Sequence, residues 1–180
     1  MNCINLLDIN NDFTFPRGQL VKLPSGEVGY RYDIIYHIFS IPLLLWRGEI
    51  PGYESKGHVG LYNGDTIQIS VQNLKTNPLT VAAVIWHELA HVWQYASVEA
   101  CLPEWYNHSD NKTQDELYRR YKGEFSGYYA ADSALEAAAE VFRLLAGFPS
   151  KEGEDWETNE QLLKEYKKFF NNQLFFKEFV

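Results

Sequence analysis

The stretch His87-Glu88-Leu89-Ala90-His91 decides how this chain of 180 residues is organised. Because an α-helix turns once in 3.6 residues, a helix here places both imidazoles on one face, one turn apart. Imidazoles at that spacing can bind a single zinc ion, and Glu88 between them can accept a proton from a zinc-bound water. The motif therefore predicts a metal-assisted hydrolase that still needs a third ligand and a substrate cleft.

The residues around the motif are those of a partly buried helix. After Asn77-Pro78 the chain changes to helix-forming residues, and Thr80 is the expected N-cap. Apolar side chains such as Trp86, Leu89 and Val92 lie close to both histidines in the sequence. A helix with so much apolar surface is packed against other elements. We therefore expect the histidines to face a site and not bulk solvent.

The chain before this helix favours strands. Prolines and glycines divide residues 1–77 into short segments. His58–Tyr62 and Thr66–Val71 alternate polar and apolar residues on either side of Asn63-Gly64-Asp65, which predicts a β-hairpin. Ile34–Leu45 fits a helix and a buried strand equally well. We expect a β-rich part over residues 1–77.

The chain after the motif favours helices. Ala130–Ala146 is rich in alanine and stops at Gly147-Phe148-Pro149, which predicts a strong helix with a definite end. Trp156–Phe179 predicts an amphipathic closing helix, whereas Leu102–Gly127 is predicted to be a surface loop with short helical pieces. The expected fold class is α+β, with a small mixed sheet, the motif helix and a later glutamate-bearing helix.

Composition limits the number of domains and the kinds of partner. A chain of this length, 46% hydrophobic, can bury one sizeable core, so we expect a single domain over residues 1–180 and a monomer. Its net charge of -8 argues against broad binding to nucleic acid or to an anionic membrane surface. We therefore expect neither nucleic acid nor membrane as a partner.

Cysteine content and hydropathy indicate where the protein works. Cys3 and Cys101 are too few for a disulfide framework, which favours a reducing compartment such as the cytoplasm. The first residues do not resemble a signal peptide, and the apolar run Ile34–Trp46 is shorter than the roughly 20 residues that span a bilayer. Secretion by another route stays open.

Three residues compete to be the third zinc ligand. Two of them, Glu136 and Glu140, lie one turn apart on the predicted alanine-rich helix. Asp132 lies one turn before Glu136 on the same helix face. The small alanines between them would let this helix approach the histidine helix closely. A later histidine, His108, would instead resemble the DNA-associated SprT-like proteases, although the acidic charge argues against that class. The residues alone leave Glu136, Glu140 and His108 open.

A family resemblance narrows this choice. A His-Glu-x-x-His motif followed by a glutamate on a later helix resembles the gluzincins, the thermolysin-like zinc peptidases. The segment Glu136-Ala-Ala-Ala-Glu140-Val-Phe-Arg-Leu144 is similar to E-F-F-A-E-A-F-R-L in the catalytic-domain family of anthrax lethal factor. The first glutamate of that segment is a zinc ligand in the family, which implies Glu136. A tyrosine seven residues earlier assists the transition state, which implies Tyr129, with Tyr128 as its competitor.

The remaining expectations complete a peptidase. Glu140 is expected to accept a hydrogen bond from the far N–H of a ligand imidazole, and Asp132 is a weaker candidate for the same task. An edge strand just before the motif helix is expected to bind substrate as an added strand, on its position and on the resemblance. That segment consists of Gly57, His58, Val59, Gly60, Leu61 and Tyr62.

The predicted function is that of a zinc metalloendopeptidase with one zinc ion per chain and Glu88 as the general base. Its substrate would be a protein or peptide bound as an extended strand. The alternative is a non-catalytic, zinc-stabilised module that binds peptides without cleaving them.

Overall fold

The structure is a computed structural model that describes residues 2–6, 9, 14–36, 39–72, 77–95, 111–150 and 153–171. Tertiary contacts divide the chain into two compact units, Met1–Glu88 and Leu89–Val180. The boundary falls inside one continuous helix of 18 residues. All described strands belong to the first unit, in keeping with the β-rich part expected before residue 78.

Six described strands of the first unit form one mixed sheet, in accord with the predicted α+β class. The strand order is β1-β3-β4-β6-β5, with β2 also paired to β3. The pairs β1–β3 and β4–β6 are parallel, and the other pairs are antiparallel. The strands are β1 (Cys3–Asn5), β2 (Gln19–Lys22), β3 (Val28–Tyr36), β4 (Phe39–Trp46), β5 (Gly60–Tyr62) and β6 (Ile67–Ser70).

The segment Ile34–Leu45, which periodicity left undecided, belongs to the antiparallel strands β3 and β4. Their register runs from Gly29↔Trp46 to Tyr36↔Phe39. Tyr32, Ile34 and Tyr36 are buried, whereas the residues between them are more exposed. This period of two is that of a strand with one face on the core.

The hairpin predicted around Asn63-Gly64-Asp65 is confirmed. Strands β5 and β6 are antiparallel, and Tyr62 pairs with Ile67. The Asn63 side-chain oxygen accepts hydrogen bonds from the backbone N–H groups of Asp65 (3.2 Å) and Thr66 (2.9 Å). Gly64 has φ +98°, a conformation that glycine adopts at little cost. Local side-chain chemistry thus fixes the turn that brings β5 to the sheet edge.

The motif helix, α1 (Pro78–Tyr95), begins two residues before the predicted cap. The Asn77 side-chain oxygen accepts a hydrogen bond from the N–H of Leu79 at 3.0 Å. Pro78 occupies the first helical position, where a missing N–H costs nothing. The prediction of Thr80 as N-cap is therefore wrong, because Asn77 caps the helix and Thr80 lies within its first turn.

The second unit contains three further described helices, α2 (Asn111–Tyr121), α3 (Ala134–Leu145) and α4 (Glu160–Asn171). The prediction of a loop with short helical pieces is wrong over α2, where Gln114, Leu117 and Tyr121 are buried at helical spacing. The closing helix is confirmed only in part, since Trp156 lies in a separate 3-10 turn, Asp155–Thr158, and residues 172–180 are outside the described part. None of the described helices has the length and apolar character required to cross a bilayer.

Helix α3 starts four residues later than predicted and ends at Leu145, one residue before the predicted end. The Ser133 hydroxyl accepts a hydrogen bond from the N–H of Glu136 at 3.1 Å, which makes Ser133 the N-cap. At the other end Gly147 has φ +95°, and its N–H donates to the carbonyl of Leu144 at 2.9 Å. The N–H of Phe148 donates to the carbonyl of Arg143 at 3.2 Å, which completes a Schellman motif.

Candidate metal centre

His87 and His91 lie one turn apart on helix α1, as predicted. They are buried, with 6% and 8% of their surface exposed. Since α1 is continuous across the boundary between the two units, both side chains belong to one helical element. The expectation that they face away from bulk solvent is confirmed.

Aromatic contacts anchor α1 at its middle and near its C-terminal end. In the first unit, the Trp86 ring meets the Tyr36 ring of β3 edge to face, with centroids 6.0 Å apart. In the second unit, the Trp93 ring meets the Phe169 ring of α4 in a similar arrangement at 5.9 Å. Such pairs add to the stabilisation from area burial. The helix that bears the histidines is therefore fixed by packing beyond its own hydrogen bonds.

Glu136 lies in the first turn of α3, and its carboxylate is close to the two histidines. Its Oε2 is 3.4 Å from Nε2 of His91. One ligand atom from each of His87, His91 and Glu136 lies within 4.8 Å of the other two. The predicted ligand set is thus brought together as a group that could hold a metal ion.

The donor set suits zinc. Imidazole nitrogens and a carboxylate oxygen bind Zn²⁺ at about 2.0–2.2 Å, so ligands at the corners of a tetrahedron lie roughly 3.4 Å apart. The distance between His91 and Glu136 already has this value. The first turn of a helix also favours an ionised carboxylate, because the backbone dipoles make that end positive. The three residues could therefore hold a metal ion, and their donor atoms are of the kinds that zinc binds.

Glu140 belongs to a different cluster. Its carboxylate accepts hydrogen bonds from Nη2 of Arg143 at 2.6 Å and from Nε at 3.1 Å. Arg143 also pairs with Glu157 at 3.3 Å, and all three side chains are largely buried. Glu136, rather than Glu140, is the carboxylate grouped with the histidines. The expectation that Glu140 orients a ligand imidazole stays a prediction.

The nearby Glu154 titrates under the influence of this cluster. Burial raises the pKa of the Glu154 carboxyl, and the charges of Glu140 and Glu157 raise it further. Hydrogen bonding from the Trp156 indole and the charge of Arg143 lower that pKa in part. The Glu154 carboxyl therefore interacts electrostatically with the cluster of Glu140, Arg143 and Glu157.

The two residues expected just before α3 lie in a short turn. Tyr129 is 55% exposed and starts a 3-10 turn that ends at Ala131. Asp132 follows as an exposed residue, and its N–H donates to the carbonyl of Tyr129 at 3.0 Å. It therefore precedes α3, although the sequence placed it on the same helix face as Glu136. Its role towards a ligand imidazole stays a prediction.

Tyr128 and Tyr129, the two candidates for a hydroxyl donor, differ in their surroundings. The Tyr128 hydroxyl accepts a hydrogen bond from the backbone N–H of Asp155 at 3.4 Å, so it is directed to the next 3-10 turn. Tyr129 is the more exposed of the two. This difference favours Tyr129 as the residue accessible to a substrate.

Strand β5 passes directly over the Glu88 carboxylate. A Cβ atom at Gly60 would lie 2.6 Å from Oε1 of Glu88 and 2.4 Å from Cγ1 of Val84, closer than real contacts allow. Only glycine therefore permits the strand to approach α1 this closely. Glu88 is 5% exposed and lies beneath the sheet edge.

The backbone of β5 presents two residues to the side away from β6. The carbonyl of Val59 accepts from the N–H of Ser70 at 3.0 Å, and the N–H of Asn63 donates to the carbonyl of Thr66 at 3.3 Å. Antiparallel pairing alternates, so the N–H and C=O groups of Gly60 and Tyr62 point outward. Among the described strands, β5 ends the strand order.

The other residues of the expected substrate segment lead into this edge. Gly57 ends a short 3-10 turn with φ +64°, and Val59 is exposed. The His58 ring packs against Tyr53 at a centroid distance of 5.7 Å. Burial raises the pKa of the Tyr62 hydroxyl, and the nearby Asp65 carboxylate raises it further. Within this segment, Gly60 is the residue that lies against Glu88.

Sequence reasoning missed Gln94. Its Oε1 lies 2.6 Å from Nδ1 of His91, three residues earlier on α1. The spacing was a usable signal, because residues three apart on a helix lie on one face. The side chain beside the His91 imidazole is therefore a glutamine of the motif helix itself.

Comparisons with known proteins found no relative of this chain. No protein-family model, curated protein or solved structure matches the chain. The alternative ligand His108 lies outside the described residues. Function is therefore inferred from the geometry of the site.

Proposed function

We propose that this protein is a zinc-dependent metallopeptidase of the gluzincin type. The observation that carries the proposal is the grouping of His87, His91 and Glu136 on two helices, with Glu88 buried between the histidines. A metal site needs only the three ligands. A carboxylate next to them, beneath the last strand of the described sheet, is what peptide hydrolysis requires in addition.

His87, His91 and Glu136 would hold the zinc ion. Bound there, zinc would polarise the scissile carbonyl and make water more acidic. The three residues supply one negative charge, so the centre would keep a net positive charge that attracts a carbonyl oxygen. The burial of His87 and His91 keeps competing water away from their ring nitrogens.

Glu88 would act as general base and then as general acid. Its carboxylate would accept a proton from the attacking water and pass it to the leaving amine. The close approach of Gly60 keeps Oε1 of Glu88 next to β5. This packing would hold the base in position before substrate binds.

Strand β5 would bind the substrate backbone. The outward N–H and C=O groups of Gly60 and Tyr62 can pair with an extended peptide as an added strand. Backbone pairing of this kind selects a peptide over a small molecule. The same pairing would place a scissile bond near Glu88, because Gly60 lies against that carboxylate.

Tyr129 would stabilise the transition state. Its hydroxyl is on an exposed turn just before the glutamate helix and can donate a hydrogen bond to the developing oxyanion. The family resemblance gives it this role.

The decisive experiment compares Glu88→Gln with a matched control, Glu116→Gln, on the exposed side of α2. Zinc content is measured for both, and cleavage of a broad peptide library is followed with and without a chelator. We expect Glu88→Gln to retain zinc and to lose about 10²–10⁴-fold in cleavage rate, since general acid–base catalysis contributes that much. Glu116→Gln should cleave as the wild type does.

Two results would contradict the proposal. A Glu88→Gln protein that binds zinc and cleaves normally would remove the mechanism. A wild type that is strongly stabilised by zinc but cleaves no peptide would instead favour the non-catalytic binding module.

A further inference from the structure

We infer that Gln94 is a positioning residue of the metal centre: it holds His91 in the tautomer that directs Nε2 to the metal, and it ties His91 to the turn that carries Glu136. The inference rests on the proposed zinc centre. It assigns a task to a side chain outside the His-Glu-x-x-His motif.

The orientation of the Gln94 amide is fixed by a backbone partner. Its Nε2 lies 3.0 Å from the carbonyl oxygen of Leu135 and 3.2 Å from Oε1 of Gln114. A backbone carbonyl can only accept, so the Gln94 NH₂ group must face Leu135. Oε1 of Gln94 therefore faces His91, independently of how amide atoms are assigned elsewhere.

This orientation determines where the His91 proton lies. An amide oxygen can only accept, so Nδ1 of His91, at 2.6 Å, must be the donor. In a neutral imidazole the other nitrogen then carries the lone pair. That nitrogen, Nε2, is the atom that lies 3.4 Å from Glu136. The side chain of Gln94 thus selects the tautomer that can bind a metal ion.

The same amide couples two of the ligands. Leu135 immediately precedes Glu136 in the first turn of α3, and Gln94 donates to its carbonyl. Gln114 of α2 is buried and accepts the second hydrogen bond. One side chain therefore fixes the imidazole of His91 and the backbone next to Glu136.

Only an amide has this combination of groups at the position of Gln94. A glutamate would still accept from His91 but would have no hydrogen to donate to Leu135 or Gln114. A leucine would offer neither an acceptor nor a donor. The variants Gln94→Glu and Gln94→Leu therefore separate the tautomer from the coupling to α3.

The experiment measures the His91 tautomer and zinc affinity separately. Nitrogen-15 imidazole spectra of the metal-free protein, at a pH where imidazole is neutral, report which nitrogen carries the proton. Zinc affinity is measured by competition with a chromophoric chelator, and thermal unfolding is recorded without metal. The matched control is Gln161→Leu, since Gln161 is exposed on α4 and its Nε2 hydrogen-bonds Glu165 at 2.7 Å.

We expect wild-type His91 to carry its proton on Nδ1. Gln94→Leu should lose that preference and bind zinc about 10–100-fold more weakly, the usual effect of removing the partner of a ligand histidine. Gln94→Glu should keep the tautomer yet still bind zinc more weakly than the wild type, because its contacts to α2 and α3 are lost. Gln161→Leu should change neither quantity.

An unchanged tautomer and unchanged zinc affinity in Gln94→Leu would overturn the inference, even if the variant unfolds at a lower temperature. Gln94→Met, which is close in size to glutamine but has no oxygen to accept from His91, gives the same test if the leucine variant does not fold. A wild type that binds no zinc would overturn the metal centre and this role together. A wild type that binds zinc but cleaves no peptide would overturn only the peptidase function.

Discussion

The two glutamates of helix α3 stand one turn apart on the same helix, yet they have different partners. Glu136, in the first turn, lies 3.4 Å from Nε2 of His91. Glu140, in the next turn, is held by Arg143, which also reaches Glu157. Three alanines separate the two glutamates, and both carboxylates fitted the role of zinc ligand in the sequence.

The difference shows that partners, not helix position, decide what a carboxylate does. Glu136 lies beside the His91 imidazole, whose Nε2 can donate a lone pair to a metal ion. Glu140 meets a guanidinium that has no lone pair to offer and already neutralises its charge. One turn of α3 is therefore suited to a metal centre, whereas the next turn supports the fold.

The largest expected effect is on zinc affinity, when each glutamate of α3 is replaced in turn by the uncharged glutamine. Glu136→Gln should weaken zinc binding beyond the roughly 100-fold that loss of a ligand's hydrogen-bond partner can cause, because the amide is a poor zinc ligand. Glu140→Gln should lose much less zinc affinity than Glu136→Gln and should also unfold more easily. Calorimetric zinc titration and chemical denaturation of both variants measure these changes.

The two variants are each other's control, since each exchanges one oxygen for an amide nitrogen on the same helix. The comparison fails if Glu140→Gln loses zinc and Glu136→Gln retains it. In that case Glu140 would be the zinc ligand and Glu136 would not bind the ion.

The next effect concerns Arg143. Arg143→Met should lower the free energy of unfolding by about 3–5 kcal/mol, because it leaves the carboxylates of Glu140 and Glu157 buried without their cation. The control is Arg120→Met, whose partner is Glu165. The Arg120 side chain is 59% exposed, so its removal should cost at most about 1 kcal/mol.

Urea denaturation of both arginine variants measures the difference directly. Equal losses of stability would mean that the cluster around Glu140 contributes no more than a surface ion pair does. Zinc affinity should stay close to wild type in Arg143→Met at temperatures where that variant is folded.

The smallest effect is expected at the start of α3. Ser133→Ala removes the oxygen that accepts the N–H of Glu136 and should cost about 1 kcal/mol of stability. Ser126→Ala, at an exposed site in the preceding turn, is the control and should cost little. Thermal unfolding of the metal-free proteins compares them, and equal melting temperatures would argue against Ser133 as the cap.

Much of this arrangement follows from the sequence because it depends on local chemistry. The motif histidines share a face because of helical periodicity. Asn63-Gly64-Asp65 forms a hairpin turn because the Asn63 side chain accepts hydrogen bonds from the backbone N–H groups just after it. The end of α3 follows from Gly147, which adopts a positive φ. These features need no distant partner.

Other features were missed although the sequence carried a signal. Ser133 and Glu136 have the spacing of a helix start, with the glutamate three residues after the cap. Alanine content suggested an earlier start, and the cap overrides it. The helical spacing of the buried residues of α2 was likewise difficult to recognise, because most of its residues are charged or polar. Its described buried residues are Gln114, Leu117 and Tyr121.

The remaining features depend on tertiary contacts that no local pattern contains. Nothing near Glu140 in the sequence distinguishes its pairing with Arg143 and Glu157 from an ordinary exposed ion pair. The hydrogen bonds from Gln94 to Gln114 and Leu135 join residues 20 and 41 positions apart. The choice between Glu136 and Glu140 therefore came from a family resemblance in the sequence and from geometry in the structure.

The most direct test of the metal centre is an anomalous scattering map of zinc-loaded crystals, recorded at the zinc absorption edge. The account predicts one peak per chain, within bonding distance of His87, His91 and Glu136. A peak at Glu140, or no peak beside the two histidines, would contradict it.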